Sequence, residues 1–369
     1  MGSHQRLNYI HVFRALAITM IVASHAIISP FPQFKPILNV LLQDGTVLFV
    51  FISGFLFQYL SDGFSYGNYL KKKFFNVVCP YLVTSVIGIS WLFFHPSNNP
   101  FEGVSKLLQI PMFLTTGYHH NLPTWYIPMT CVFFLCSALL LKMERKKIFA
   151  DKSLLFCGLA VLLCVSLFIP RYPLVYARGV SAWQAYVSSI KIIAFLTVLF
   201  FPIYILGMFM AAHREYIPLI YKHRKGWLLA LLLTGAFGSI GIYLKLFAGR
   251  LLVPKLILTL IMLGYLEHYD QKIMNKEKIN HVLDVIATCS FSIFFLHEYI
   301  VRVVRSILTL LGGKIDSTSQ ISVSLVTKWI IFSSVEFFIA LLGSLFIAML
   351  IKKLLTKIGI KHTRYFIGT

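Results

Sequence analysis

The sequence predicts an all-α integral membrane protein of about ten transmembrane helices with both termini cytoplasmic. Composition is the first reason. Of 369 residues, 58% are hydrophobic and only 13% charged, whereas soluble domains sit near half and a quarter; mean hydropathy is +0.78. Periodic apolar runs are the second. A span needs about 20 mostly apolar residues, and such runs fall at 9–29, 37–60, 74–95, 123–142, 153–170, 190–212, 226–247, 250–267, 285–309 and 325–352. The third is charge placement. Lys and Arg number 34 against 13 Asp and Glu, for a net charge of +21. The larger share lies in alternate loops and at the ends, including Lys71, Lys72 and Lys73, the stretch Lys142–Lys152, and Lys352 to Arg364. That alternation is the positive-inside pattern of a membrane protein and not a nucleic-acid face, so membrane lipids and no nucleic acid are the expected partners. The chain reads as one membrane domain over residues 1–369, without internal repeats or an appended soluble domain.

The first run carries two groups that are expensive in lipid, Arg14 and His25. Eleven residues at about 100° each make three turns and roughly 20° more. Both side chains therefore share one helix face, about 16 Å apart along the axis. Ionisable residues within spans face bundle interiors or wet cavities, so this face is a candidate functional surface.

The second run contains Asp44, at a depth comparable with His25 if the chain enters from the outer side. Two readings stand, a carboxylate that orients His25 or a cap on a broken helix. The third run follows Lys71, Lys72 and Lys73, which serve either as an orientation signal or as an anion-binding cluster. The loop 96–122 is expected to hold a short interfacial helix around 103–115, with His119 and His120 solvated. Trp125 and Tyr126 open the fourth run, as aromatic-belt anchors or as a sugar-stacking platform. The fifth run, 153–170, is the shortest, and the break between the seventh and eighth rests on "FAGR" and Pro254. Ser53–Gly54, Pro80, Pro128, Pro202 and Pro254 are expected helix irregularities.

Beyond Asp44, two acids lie well inside spans. Glu298 adjoins His297, and adjacent helical residues point about 100° apart. One of the two is expected in the cavity, with His297 favoured there and Glu298 paired with Arg302 four residues on. Glu336 is expected to pair with a neighbouring helix. The six cysteines lack a paired C-x-x-C framework, which points to free thiols, no disulfide and no metal site.

Five segments, in order, resemble the bacterial membrane-bound acyltransferase 3 family. "LNYIHVFRALAITMIVASHAI" is similar to its first helix, with Arg and then His. "LFVFISGFLF" (Leu48–Phe57) resembles its Phe-rich Ser-Gly-Phe segment, and "YLKKKFFNVVCPYL" (Tyr69–Leu82) the basic start of its third helix. "LPTWYIPM" (Leu122–Met129) and "SFSIFFLHEYIV" (Ser290–Val301) match its Trp-containing and late Ser…His helices. One departure stands out. The family's Arg-x-x-Arg at the third helix aligns with Lys73 and Asn76 here, a point charge and a neutral amide in place of two guanidinium forks.

The resemblance implies acyl transfer, most simply of acetyl, from cytoplasmic acyl-CoA to a hydroxyl of an extracytoplasmic polysaccharide or lipid-linked glycan, in a bacterial inner membrane. Arg14, with Lys72 and Lys73, would hold the coenzyme A head. His25 would act as general base or as an acyl relay, with Asp44 or His297 orienting it, and Trp125 and Tyr126 would receive the acceptor. An imidazole with an ordinary pKa near 6.5 suits proton transfer at neutral pH. A proton-coupled transporter or polysaccharide exporter is the second class these residues fit, since intramembrane His, Asp, Glu and Arg also mark proton relays.

Overall fold

A computed structural model describes residues 6–118, 123–145, 158–161, 165–166, 180–246, 251–312, 322–360 and 362–368. The described residues are helical, with no strand among them. Seven helices are long and apolar enough to cross a membrane, or eight if a bent pair is one span. They are α1 (Asn8–Ala26), the broken unit α2 (Lys35–Leu41) and α3 (Thr46–Tyr59), α4 (Tyr66–Phe94), α6 (Tyr126–Arg145), α7 (Ala182–Ala212), α9 (Arg224–Tyr243) and α14 (Val323–Lys357). The bent pair is α12 (Glu277–Thr288) and α13 (Ser290–Gly312), which meet at 75° around Cys289.

These helices coincide with eight of the expected runs. The ninth match, 250–267, is α10 (Leu252–His268), only 17 residues long. The expected run 153–170 lies mostly outside the described residues. The loop helix is present as α5 (Lys106–Thr116). Short helices α8 (Ile217–Lys222), α11 (Asp270–Met274) and α15 (Arg364–Ile367) complete the order.

Helices α3 and α7 form the tightest pair of the bundle. Glycine permits it. A Cβ on Gly54 would lie 2.0 Å from the Tyr204 carbonyl oxygen, and one on Gly207 would lie 2.1 Å from that of Phe51. Small residues let backbones approach where lipid offers no hydrophobic drive for association. Ser53–Gly54 is thus a packing feature in an unbroken helix, not an irregularity, and Pro202 likewise sits within continuous α7. Pro80 does mark a departure. The preceding turn, Phe74–Val78, is π-helical, with the Cys79 N–H donating to the Phe74 carbonyl, and Pro80 itself has no N–H to give.

Breaks in the helices are satisfied by specific donors. The gap between α2 and α3 leaves carbonyls at the end of α2 without intrahelical partners, and the buried Lys255 ammonium donates to Leu41 O at 2.7 Å. Free Cys79, Cys131, Cys136 and Cys289 form no disulfide among the described residues; Cys157 and Cys164 lie outside them.

Replacing Gly54 by Val forces its side chain into the α7 backbone. The expected result is a loss of about 3 kcal/mol or more, read as a lowered unfolding midpoint in detergent. An unchanged midpoint would contradict the close crossing.

Candidate active site

The site is built on two helices running side by side in the same direction, α1 and α13. Arg14 of α1 donates from Nη2 to the Ser290 hydroxyl at 2.9 Å, where α13 begins. Further along, His25 of α1 meets His297 and Glu298 of α13. The shared face read from the sequence is therefore lined along its length by one partner helix.

At the His25 end, His25 Nδ1 lies 3.3 Å from Glu298 Oε2. The two atoms are at ion-pair distance without hydrogen-bond alignment, since Glu298 Oε2 is buried without a hydrogen-bond partner. The other carboxylate oxygen of Glu298 accepts from Arg302 Nε at 3.3 Å, the expected partner four residues on. The His297 ring stands edge-on to His25, with centroids 5.2 Å apart. Its Nδ1 faces Ile293 O at 2.9 Å, and its Nε2 is buried without a partner among the described residues. Both neighbours on α13, not one, thus reach His25, because their directions straddle the line of contact with α1.

The end of α1 is fixed from three sides. Arg305 Nη2 donates to His25 O at 2.8 Å, and Arg305 also forks onto Glu336 of α14 at 2.8 and 3.2 Å. Glu336 thus pairs across helices as expected. Gln43 Nε2 donates to Ser24 O at 3.2 Å, and Trp329 Nε1 to Ile28 O at 3.1 Å. These groups occupy carbonyls that a helix C-terminus leaves without intrahelical donors. A guanidinium there also complements the helix dipole.

The other sequence-selected residues take varied places. Asp44 sits in the turn between α2 and α3 with φ 58°, and Glu298 is the carboxylate beside His25. Lys72 is exposed, whereas Lys73 is half-buried, its ammonium 4.7 Å from the Phe134 ring centre and 5.3 Å from that of Tyr69. Tyr126 is a core residue, packed on Phe294 at 5.6 Å, with its hydroxyl 3.5 Å from Ser53. Phe294 in turn neighbours His297 at 6.3 Å, so Tyr126 backs the wall of the site. Trp125 packs on Phe200 at 6.0 Å. His119 and His120 lie outside the described residues.

Sequence reasoning noted Glu298 but assigned it only to Arg302, and it missed Ser290, Arg305 and Lys255 as partners. Two polar signals were available, an Arg three positions after Arg302 and a Lys beside Pro254, but neither specifies a contact across more than 200 residues. The interior also holds the buried hydroxyls of Tyr69 and Tyr204, which face each other. Gln58 Oε1 and the Ser137 hydroxyl are buried without hydrogen-bond partners among the described residues. Such groups cost about 1–3 kcal/mol each unless water or a ligand satisfies them.

Ligand atoms of His25, His297 and Glu298 lie within 4.8 Å of one another, a spacing a metal ion could bridge. Arg302 already occupies Glu298 and Arg305 adjoins His25, so two fixed cations oppose a third positive charge there.

The chain matches the family model of an acyltransferase domain, of the acyltransferase 3 type, over residues 7–353. No curated protein and no solved structure matches it.

The His25 side chain is 32% exposed and His297 is fully buried. Diethyl pyrocarbonate, followed by peptide mass mapping, is expected to modify His25 well before His297. Equal labelling of the two would contradict this placement.

Proposed function

Since the chain belongs to the acyltransferase 3 family and is a multi-pass membrane acyltransferase, we propose that it transfers an acyl group, acetyl in the simplest case, from acyl-CoA to a glycan hydroxyl. The donor enters from the cytoplasm of a bacterium at the Arg14 end, and a polysaccharide or lipid-linked sugar is presented at the His25 end. One observation carries this reading: a single helix pair holds a guanidinium at one end and a carboxylate-flanked histidine at the other, about 16 Å apart. Coenzyme A is a polyanionic head on a long thin arm, so a head site and a reaction site separated along one face suit it.

In the proposed reaction Glu298 accepts from His25 Nδ1–H once the ring turns into alignment, leaving Nε2 as the base. Hydrogen bonds of this kind tighten when substrate is bound. His25 Nε2 takes the acceptor hydroxyl proton as that oxygen attacks the thioester carbonyl carbon. The new C–O bond forms, the tetrahedral intermediate collapses with cleavage of the C–S bond, and His25 returns the proton to the departing thiolate. Products are the glycan ester and free coenzyme A thiol. Arg302 stands beside the centre as the candidate donor to the oxyanion, while His297, whose Nδ1–H donates to Ile293 O, can donate from Nε2 only as an imidazolium. Arg305 and Glu336 are positioning residues that hold the α1 terminus. Gln58 Oε1, buried without a partner among the described residues, is what water or an amide of the arm would satisfy.

The transporter reading finds less support. A proton relay needs polar groups that continue across the membrane, and the ion pairs on this face among the described residues gather at its His25 end.

Purified protein with labelled acetyl-CoA tests the proposal. Arg14→Ala is expected to weaken donor binding about tenfold or more. His25→Ala should bind donor normally and lose about 10²–10⁴-fold in turnover, with Glu298→Gln intermediate. Folded wild type that neither binds nor discharges acetyl-CoA or a longer acyl-CoA would overturn the reading. Treatment with a strong chelator should leave turnover unchanged, and loss restored by zinc would replace the general-base account with a metal centre.

A further inference from the structure

Three cations at the Arg14 end form no ion pair among the described residues: Arg14, Lys73 and Arg364. They come from three distant parts of the chain. Arg14 is held by Ser290, the first residue of α13. Lys73 leads into the π-helical turn of α4, resting on Tyr69 and Phe134. Arg364 opens α15, the short helix after the last span.

The position of α15 is fixed beside the same two elements. It packs on α4, its π turn and α13. The Tyr365 ring lies 4.9 Å from that of Phe75, and the Ser292 hydroxyl donates to Ile367 O at 2.5 Å. Gly368 closes the segment at φ 81°, where a Cβ would stand 2.8 Å from that of Phe291. Ser292 and Phe291 directly follow Ser290, the partner of Arg14, so these tethers dock Arg364 against the base of the site.

The electrostatic environment is one-signed. The charged groups acting on Arg14 are Arg364 and Arg6, and those acting on Lys73 are Arg364 and Arg14. Arg6 has its own partner, Asp284. An open polar cleft of about 410 Å³ near Arg6 is lined by Glu277 and Asp284, and neither acid pairs with any of the three among the described residues. Like charges gathered in a low-dielectric setting repel strongly unless an anion lies among them. Arg14 and Lys73 are half-buried and Arg364 is exposed, which leaves such an anion a way in.

We propose that Arg364 of the C-terminal helix α15 joins Arg14 and Lys73 in one site for a polyphosphate group. Two guanidinium forks suit phosphate oxygens, and Lys73 adds a point charge. As the natural ligand, the phosphates of acyl-CoA rest on the function proposed above, but the anion site itself does not. In that role α15 is a clasp on the donor head, supplied from the far end of the chain.

The test measures binding of inorganic pyrophosphate and, separately, of coenzyme A to the full-length protein in detergent, by calorimetry or ligand-induced shift of the thermal transition. Wild type should bind pyrophosphate, Arg364→Gln should weaken it about tenfold or more, and Lys225→Gln, an exposed charge elsewhere, should not. If Arg364→Gln lacks a folded transition, Arg364→Met serves in its place. Wild-type affinity for pyrophosphate in the Arg364 variant, or no pyrophosphate binding by wild type, overturns the inference. Loss of pyrophosphate binding in the variant, with no coenzyme A binding by either protein, supports the anion site and removes the acyl-CoA reading. Coenzyme A binding that Arg364→Gln leaves intact, alongside intact pyrophosphate binding, does the reverse.

Discussion

The parallel pairing of α1 with α13 is the contact on which the rest of the site depends. A charged group at the centre of a span costs about 2.5–3.5 kcal/mol on insertion scales, so Arg14, His25, Glu298, Arg302 and Arg305 persist only where each meets a polar partner or water. One helix pair arranges this for all five. Ser290 receives Arg14, Glu298 lies between His25 and Arg302, and Arg305 reaches both the α1 terminus and Glu336 on α14. The bend at Cys289 matters here as well, because it starts α13 at the level of Arg14.

The two ends of this pair differ in kind. Around His25 the charges alternate in sign, with Glu298 between His25 and Arg302, while part of the imidazole stays exposed. Around Arg14, Lys73 and Arg364 the charges share one sign, and none of the three forms an ion pair among the described residues. The first arrangement suits a group that moves a proton, the second a surface that receives an anion. Gly54 and Gly207 bring α3 against α7 elsewhere in the core, a contact separate from the α1–α13 pair.

Much of this was legible in the sequence, and the gaps have physical causes. The Arg14–His25 spacing fixed a shared face because helical geometry within one element is rigid. Hydropathy gives the depth of a residue in the membrane but not its direction around the bundle. Asp44 and His297 were the partners expected for His25, and only the packing of α13 on α1 brings Glu298 beside it as well. Lys72 and Lys73 were likewise grouped as neighbours, yet one is exposed and the other turns onto Tyr69 and Phe134. Tyr126 read as an interfacial aromatic and is instead core. Arg364 was counted only as an orientation signal, since no local pattern reveals that a segment beyond the last span folds back beside Ser290. Run 285–309 was read as one span, because the turn at Cys289 carries neither Gly nor Pro.

The central claim is that donor head and reacting carbonyl occupy opposite ends of the α1–α13 face. A structure of the protein bound to a non-transferable thioether analogue of acetyl-CoA tests this most directly. The account predicts phosphates against Arg14 with Lys73, and the carbonyl carbon where an acceptor oxygen within hydrogen-bond reach of His25 Nε2 would be about 3–3.5 Å from it. An analogue whose acyl group lies away from His25, or whose phosphates sit at the His25 end, would contradict it.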